Sequence, residues 1–401
     1  MSGLWDPIFG TTAVASTTDD RAWMTALCDV EAALARAGAA VGLLDSATAK
    51  QIGAACADAA ISDPAALGRR AAADGNPVIP LVRDLRAAVT RATGDDRFAA
   101  GVHLGATSQD ILDTAAMLVA RRATAVIGRA LHGSADACAR FAREHRNTPM
   151  AGRTLLRQAL PTTFGAVAAG WGEGLDRAGA RLSAVRSELA VQLGGAAGTL
   201  AALHPHGPAV RAALAGELGL ADPGTVWHTE RTRVADLAGA LGGAAGAVGK
   251  IATDVVLLAQ TELGEVREGA AGGSSSMPHK QNPIAAVTAR AAAAQAPGLV
   301  ATLLAAMPAE FQRGAGPWHA EWVPLTGLLN TTGGAATRLG DSLRDLRVDA
   351  EAMARNLRLL GEQVRPGQDV GHPDVGHPDV GHPDVGHAHD LVDHYLAGRR
   401  R

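Results

Sequence analysis

Residues 272–283 read Gly-Gly-Ser-Ser-Ser-Met-Pro-His-Lys-Gln-Asn-Pro. The glycines make a pliant loop, and Pro278 and Pro283 stiffen its far end. Between them stand hydroxyls, a lysine, an amide and backbone N–H groups. Such a set can hold a carboxylate and stabilise enolate-like charge. A plain Gly/Ser connector has no need of the Met-Pro-His-Lys-Gln-Asn-Pro half.

A second stretch, His103-Leu-Gly-Ala-Thr-Ser-Gln-Asp110, stands just before an apolar periodic run. Thr107 or Ser108 suits a helix N-cap, and a helix N-terminus favours an anion. A third stretch spans Gly152 to Thr163, with Arg153 near its start and Leu155 two residues on. Two runs carry tryptophan beside charge, Trp227 to Arg233 and Gly316 to Trp322. Taken alone, Trp227, Trp318 and Trp322 suit core or subunit-contact anchors. Arg231 and Arg233 suit either bidentate contacts with a polycarboxylate or ion pairs inside a bundle, and the sequence leaves both open. Gly243 to Lys250 mimics a phosphate loop, but Ala244 and Ile251 stand where glycine and Ser/Thr are needed.

Together these stretches resemble the fumarase/aspartase superfamily. Residues 273–283 match its loop GSSxMPxKxNP and 107–110 its TSxD segment, and 152–163 resemble its GRTHxQxAxPTT segment. The resemblance implies Ser274 as catalytic base, with Ser275 beside it. It implies substrate-carboxylate contacts from Thr107, Ser108, Gln109, Lys280 and Asn282, and it makes Arg153, His228 and Arg231 further substrate-binding candidates. One departure is chemical: the histidine that other members use as general acid is Leu155. Expelling water or an amine benefits from a proton donor. A carboxylate leaves without one, since its conjugate acid has a pKa of about 4. The two tryptophan runs resemble the superfamily's cycloisomerase branch, which opens a lactone in this way. Rival expectations are another lyase of the superfamily, such as an adenylosuccinate-lyase-like enzyme, and a catalytically silent helical scaffold.

The elements that must position these residues read as helices. Apolar residues recur at three-four spacing from Leu175 to Leu189 and from Leu237 to Leu258. The second stretch carries Lys250, Asp254, Glu262 and Glu265 on its other faces. Further helices are expected from about Ile111 to Leu131 and from about Ile284 to Phe311, the latter kinked at Pro297. Trp23–Ala40 and Asp45–Ala60 read as shorter amphipathic helices. The expected fold is all-α: an N-terminal helical domain over 1–100, a central long-helix bundle over 101–345, and a shortened C-terminal region over 346–401. In that last region Val-Gly-His-Pro-Asp repeats from Val370, a composition that forbids continuous helix and favours partial disorder. A metal-binding reading of the recurring His and Asp lacks ligands held in fixed geometry. His387 to Leu396 reads as a remnant helix.

Composition narrows the function classes. Hydrophobic residues are 47% of the chain and aromatics 3%, an alanine-rich bias that suits closely packed helices. The net charge of −3, without a dense basic block, argues against nucleic acid or an anionic membrane as partner. Cys28, Cys56 and Cys138 are far apart and read as reduced core thiols. No apolar run reads as membrane-spanning and the N-terminus lacks a signal-peptide pattern, so a cytoplasmic enzyme is expected. No metal or redox cofactor is implied. The expected partner is a small polycarboxylate substrate, and the resemblance implies a homotetramer whose active sites are shared between chains.

Overall fold

The computed structural model describes residues 3–270, 272–273, 276–277, 280–363 and 384–399. Ser274, Ser275, Pro278, His279 and the repeats before Asp384 lie outside the described residues.

Two single-turn helices, α1 (Asp6–Phe9) and α2 (Thr12–Ala15), open the chain. They precede α3 (Asp20–Ala40) and α4 (Ser46–Ala60). Asp19 and Asp45 set those two starts, accepting from Ala22 N–H at 2.7 Å and Thr48 N–H at 2.6 Å, the usual N-cap use of an aspartate. The next elements are α5 (Pro64–Asp74), α6 (Val78–Thr93) and the short α7 (Asp96–Ala99).

Long helices follow. The first, α8 (Ser108–Glu144), has 37 residues, so it is about 55 Å long. It leads into a hairpin, β1 (Pro149–Thr154) and β2 (Arg157–Thr163), and then α9 (Phe164–Glu188). After α10 (Gly207–Leu218) come α11 (Thr232–Leu258) and the short strand β3 (Val266–Arg267). Then come α12 (Ile284–Ala293), α13 (Ala296–Ala305) and α14 (Pro317–Arg344). Strand β4 (Arg347–Val348) pairs antiparallel with β3. Helices α15 (Ala350–Gln363) and α16 (Ala388–Gly398) complete the described chain. The bundle forms as α8 packs on α9 and α14, while α11 packs on α9, α12, α13 and α14. Alanine, leucine and valine from all these helices fill one continuous core. The three cysteines are free and buried in it; burial, the first cause in each case, pushes the Cys28 and Cys138 thiols up to about 12.

The helical fold follows the sequence expectation, with four local corrections. Residues 149–163 form a hairpin that no helical period announces. The stretch from Ile284 is two helices, not one kinked helix, because Pro297 lies in the first turn of α13, where its missing N–H costs nothing; α13 also stops at Ala305, short of Phe311. Glu265 lies beyond the end of α11 and is fully buried instead of exposed on it. Finally, Thr232–Leu258 and Ile284–Ala305 are long and apolar enough to cross a membrane by length and composition alone, with mean hydropathies of 1.4 and 1.2. Their apolarity is alanine, glycine and valine broken by single charges, which a search for unbroken apolar runs passes over. Helix α11 spends that apolarity on packing against four neighbours in the bundle.

Candidate active site

The first turn of α8 is built around Asp110. Thr107 is the N-cap, in an extended conformation, and its N–H donates to Asp110 Oδ2 at 2.9 Å. The N–H groups of Gly194 and Gly195 donate to Oδ1 and Oδ2, each at 2.9 Å. His228 Nε2 stands 2.7 Å from Oδ1. One turn further on, Asp113 gathers the guanidinium of Arg231 at 2.8 and 3.2 Å, Trp318 Nε1 at 3.0 Å and Gln109 Nε2 at 3.1 Å. Glu321 takes the other side of Arg231 at 2.9 and 2.5 Å. A single buried polar network therefore joins the TSQD, WHTER and WHAEW segments within one chain.

Electrostatics follow from the burial. Burial pulls on the Arg231 proton, but Asp113 and Glu321 outweigh it, so Arg231 holds its proton more firmly than usual. Burial also dominates at Glu321, whose carboxyl is raised despite Arg231. Both groups are raised: two carboxylates favour the charged arginine, whereas one arginine shared between two buried carboxylates does not offset the burial of Glu321.

Three of the substrate-binding candidates have partners within the chain. Arg231 is 4% exposed and both edges of its guanidinium are occupied, so it serves the ion-pair alternative. Gln109 is fully buried: its amide donates to Asp113 and to His228 O, and its oxygen accepts from Arg313. Arg153 grips the fully buried Glu265 with both terminal nitrogens, at 2.9 and 2.6 Å, and Glu265 also accepts from Asn356 at 2.7 Å. Thr107 and Ser108 remain half-open at the helix N-terminus.

The Gly/Ser loop is closed at its base. Gly272 and Asn282 exchange two backbone hydrogen bonds of 2.9 Å. Gly272 is obligatory there, since a Cβ would overlap the Ile284 side chain. Glu268 caps α12 just beyond, accepting from Ala285 and Ala286 N–H at 3.2 and 2.8 Å. Lys280 is exposed. Asn282 and Gln281 line a cavity of about 550 Å³ with Arg267, Glu268 and Arg347. Ser274 and Ser275, the proposed proton carrier and its neighbour, lie outside the described residues.

Leu155 sits at the hairpin tip. Thr154 pairs with Arg157, which leaves Leu155 and Leu156 as a two-residue turn with φ of 52° and 62°. Turns of that hand normally carry Asn-Gly. Here two leucines occupy it, 97% and 77% exposed. Gly152 lets the strands close, since a Cβ there would meet Leu160 O at 2.7 Å.

The pieces fall into two groups at opposite ends of the bundle. Thr107, Ser108, His228 and the start of α14 lie at one end. The hairpin, Glu265 and the β3–β4 pair follow the other ends of α8, α11 and α14. Among the described residues no hydrogen bond or ion pair joins the two groups. Sequence reasoning missed Asp113, Glu321, Glu265 and Arg313 as organisers. The signal for Asp113 was present, because Asp110 and Asp113 stand three apart on one face of a mostly apolar helix.

A family model described as lyase matches residues 2–298. A 3-carboxy-cis,cis-muconate cycloisomerase of Bradyrhizobium diazoefficiens is 46% identical over 361 residues, 89% of this chain and 79% of that protein. A nitrosuccinate lyase of Streptomyces davaonensis is also 46% identical, over 90% of this chain and 78% of its own length. The crystal structure of a 3-carboxy-cis,cis-muconate lactonizing enzyme from Pseudomonas putida superposes with a TM-score of 0.89 at 36% identity, covering 100% of this chain and 99% of that one.

Proposed function

This chain belongs to the lyase family, and on that premise we propose that it interconverts 3-carboxy-cis,cis-muconate and 4-carboxymuconolactone without a cofactor. In the closing direction a substrate carboxylate oxygen adds to the conjugated double bond. The displaced electron pair moves onto the neighbouring carboxylate as an aci-carboxylate, and a proton then reaches the α carbon. Ser274 is the proposed proton carrier; in reverse it removes that proton. A hydroxyl is a weak base, so loop closure must bring N–H donors and positive charge to it. Lys280 and Asn282 on the loop, with Thr107 and Ser108 at a helix N-terminus, would stabilise the charge that builds on the substrate.

The observation that carries this reading is Leu155. An apolar side chain at the hairpin tip offers no proton, which suits a leaving group already stable as an anion. Adenylosuccinate-like chemistry, which expels an amine, fits this tip poorly. The second reading, favoured by the equally similar nitrosuccinate lyase, survives the same criterion, because nitrosuccinate would expel nitrite, also a stable anion. A silent scaffold would have no use for the intact loop.

A shared site between copies, of the kind a homotetramer provides, is supported by the lengths of the helices. A helix of about 55 Å separates the TSQD turn from the hairpin, too far for one small substrate to touch both within one chain.

The test is direct. Purified protein is incubated with 3-carboxy-cis,cis-muconate and loss of the conjugated-diene absorbance is followed, with nitrosuccinate and adenylosuccinate as controls. Turnover of nitrosuccinate alone moves the assignment to the second reading, and silence on all three to a scaffold. Ser274→Ala should lower turnover by several orders of magnitude with the assembly intact; an unchanged rate removes Ser274 from the mechanism.

A further inference from the structure

The Asp110 carboxylate accepts four hydrogen bonds, two at each oxygen, and is 1% exposed. No lysine or arginine pairs with it among the described residues. Three of its donors are backbone N–H groups, those of Thr107, Gly194 and Gly195. The fourth and shortest contact is His228 Nε2, at 2.7 Å. A buried carboxylate accepts, so this nitrogen carries the proton. The other ring nitrogen, Nδ1, is buried and has no partner among the described residues, and His228 is 4% exposed. The ring is also sterically confined, since a Cβ on Gly194 would stand 2.9 Å from its Cε1. The backbone of His228 is tied to the same helix turn, its carbonyl accepting from Gln109 at 2.8 Å.

We propose that His228 is a positioning residue that acts through Asp110, holding the Thr107 cap and the Gly194–Gly195 backbone in register at the α8 N-terminus, and that it neither binds substrate nor carries a proton through Nδ1. This rests on the reading that the α8 N-terminus receives a substrate carboxylate. The physical need is plain. A carboxylate buried away from water keeps its place only while its lone pairs are matched. Loss of the Nε2 donor frees Asp110 to turn, and the N–H groups it fixes turn with it.

Two variants separate the ring nitrogens. In His228→Gln the amide nitrogen reaches the place of Nε2, so the bond to Asp110 can re-form. In His228→Asn it reaches only the place of Nδ1. A hydrogen bond to a charged group is worth about a 10- to 100-fold change in an equilibrium. His228→Asn should therefore lower kcat/KM by about that factor, because the donors at the α8 N-terminus that meet the substrate's charge lose their register. His228→Gln should recover most of the loss. Hydrogen–deuterium exchange supplies a readout independent of any substrate: the amides of Thr107, Gly194 and Gly195 should exchange faster in His228→Asn and at the native rate in His228→Gln. A His228→Gln enzyme whose kcat collapses at unchanged KM overturns the proposal in favour of chemistry at the ring. Unchanged exchange in His228→Asn overturns it as well. If the wild type turns over none of the three substrates, the functional reading fails while the exchange data still decide what His228 does.

Discussion

Replacing Arg231 by leucine is the sharpest test of the network beneath the α8 N-terminus. The arginine is enclosed and bridges Asp113 and Glu321, with four contacts between 2.5 and 3.2 Å. Leucine fills much of the space but leaves two buried carboxylates facing each other. Removing one member of a buried ion pair costs about 3–5 kcal/mol, and both carboxylates lose their partner here. Asp113 keeps Trp318 and Gln109 as donors, whereas Glu321 has no other donor among the described residues and burial already raises its carboxyl. Glu321 should therefore take up a proton in the variant, which limits the loss to about the lower end of that range. The assay is urea denaturation of wild type and variant at fixed protein concentration, followed by helical circular dichroism. The triple variant Arg231→Leu, Asp113→Leu, Glu321→Leu should recover much of the loss, since a buried ionic cluster exchanged whole for apolar groups is often neutral. A single variant as stable as wild type, but with a raised KM, would refute the reasoning and return Arg231 to the substrate.

Gly272→Ala should lower kcat/KM by about 100-fold with helix content unchanged, because a Cβ that overlaps Ile284 displaces the loop base and small misplacements carry penalties of that order; steady-state kinetics beside circular dichroism checks this. The double change Leu155→Asn, Leu156→Gly should raise the denaturation midpoint by an amount equivalent to about 1–2 kcal/mol, since left-handed leucines are strained and Asn-Gly is not; a lower midpoint would contradict it. Tyr395, the chain's one tyrosine, reports the docking of α16: burial is the first cause that pushes its hydroxyl up to about 12. Tyrosinate absorbance should therefore appear near that pH in wild type. In Gly172→Ala, where a Cβ overlaps the Tyr395 hydroxyl, it should appear closer to the ordinary value of 10.0.

Much of the helical scaffold was legible because it rests on local rules. The start of α4 was expected at Asp45, whose side chain caps it, whereas α3 begins at Asp20 behind the Asp19 cap, three residues before the expected Trp23. Helices α9 and α11 showed as three-four spacing, and α16 starts one residue after the expected remnant and ends two residues beyond it. The hairpin was not legible. Its turn carries leucines where the rule asks for Asn-Gly, so the strongest local signal was missing. The roles of Arg153, Gln109 and Arg231 were illegible for another reason. Each is set by a carboxylate or carbonyl distant in sequence, Glu265 for Arg153, His228 for Gln109, Glu321 for Arg231. A charge that reads as a ligand in one dimension can be spent on a partner that only the fold brings near.

That distinction also sorts the motifs by task. The groups held within the chain, Asp110, Asp113, Arg231, Glu265 and Glu321, are buried and mutually satisfied. Those left open are Ser108, Lys280 and the Leu155–Leu156 tip, and they lie at both ends of the bundle. Buried polar networks that are fully matched make rigid platforms, and a reaction that builds negative charge needs donors fixed before the charge arrives. The buried charged residues thus serve as supports, and in the proposed reaction the chemistry falls to a few small groups at their edges. An apolar hairpin tip belongs in that scheme: it brings neither proton nor charge, and so leaves the departing anion to the donors that the platform holds.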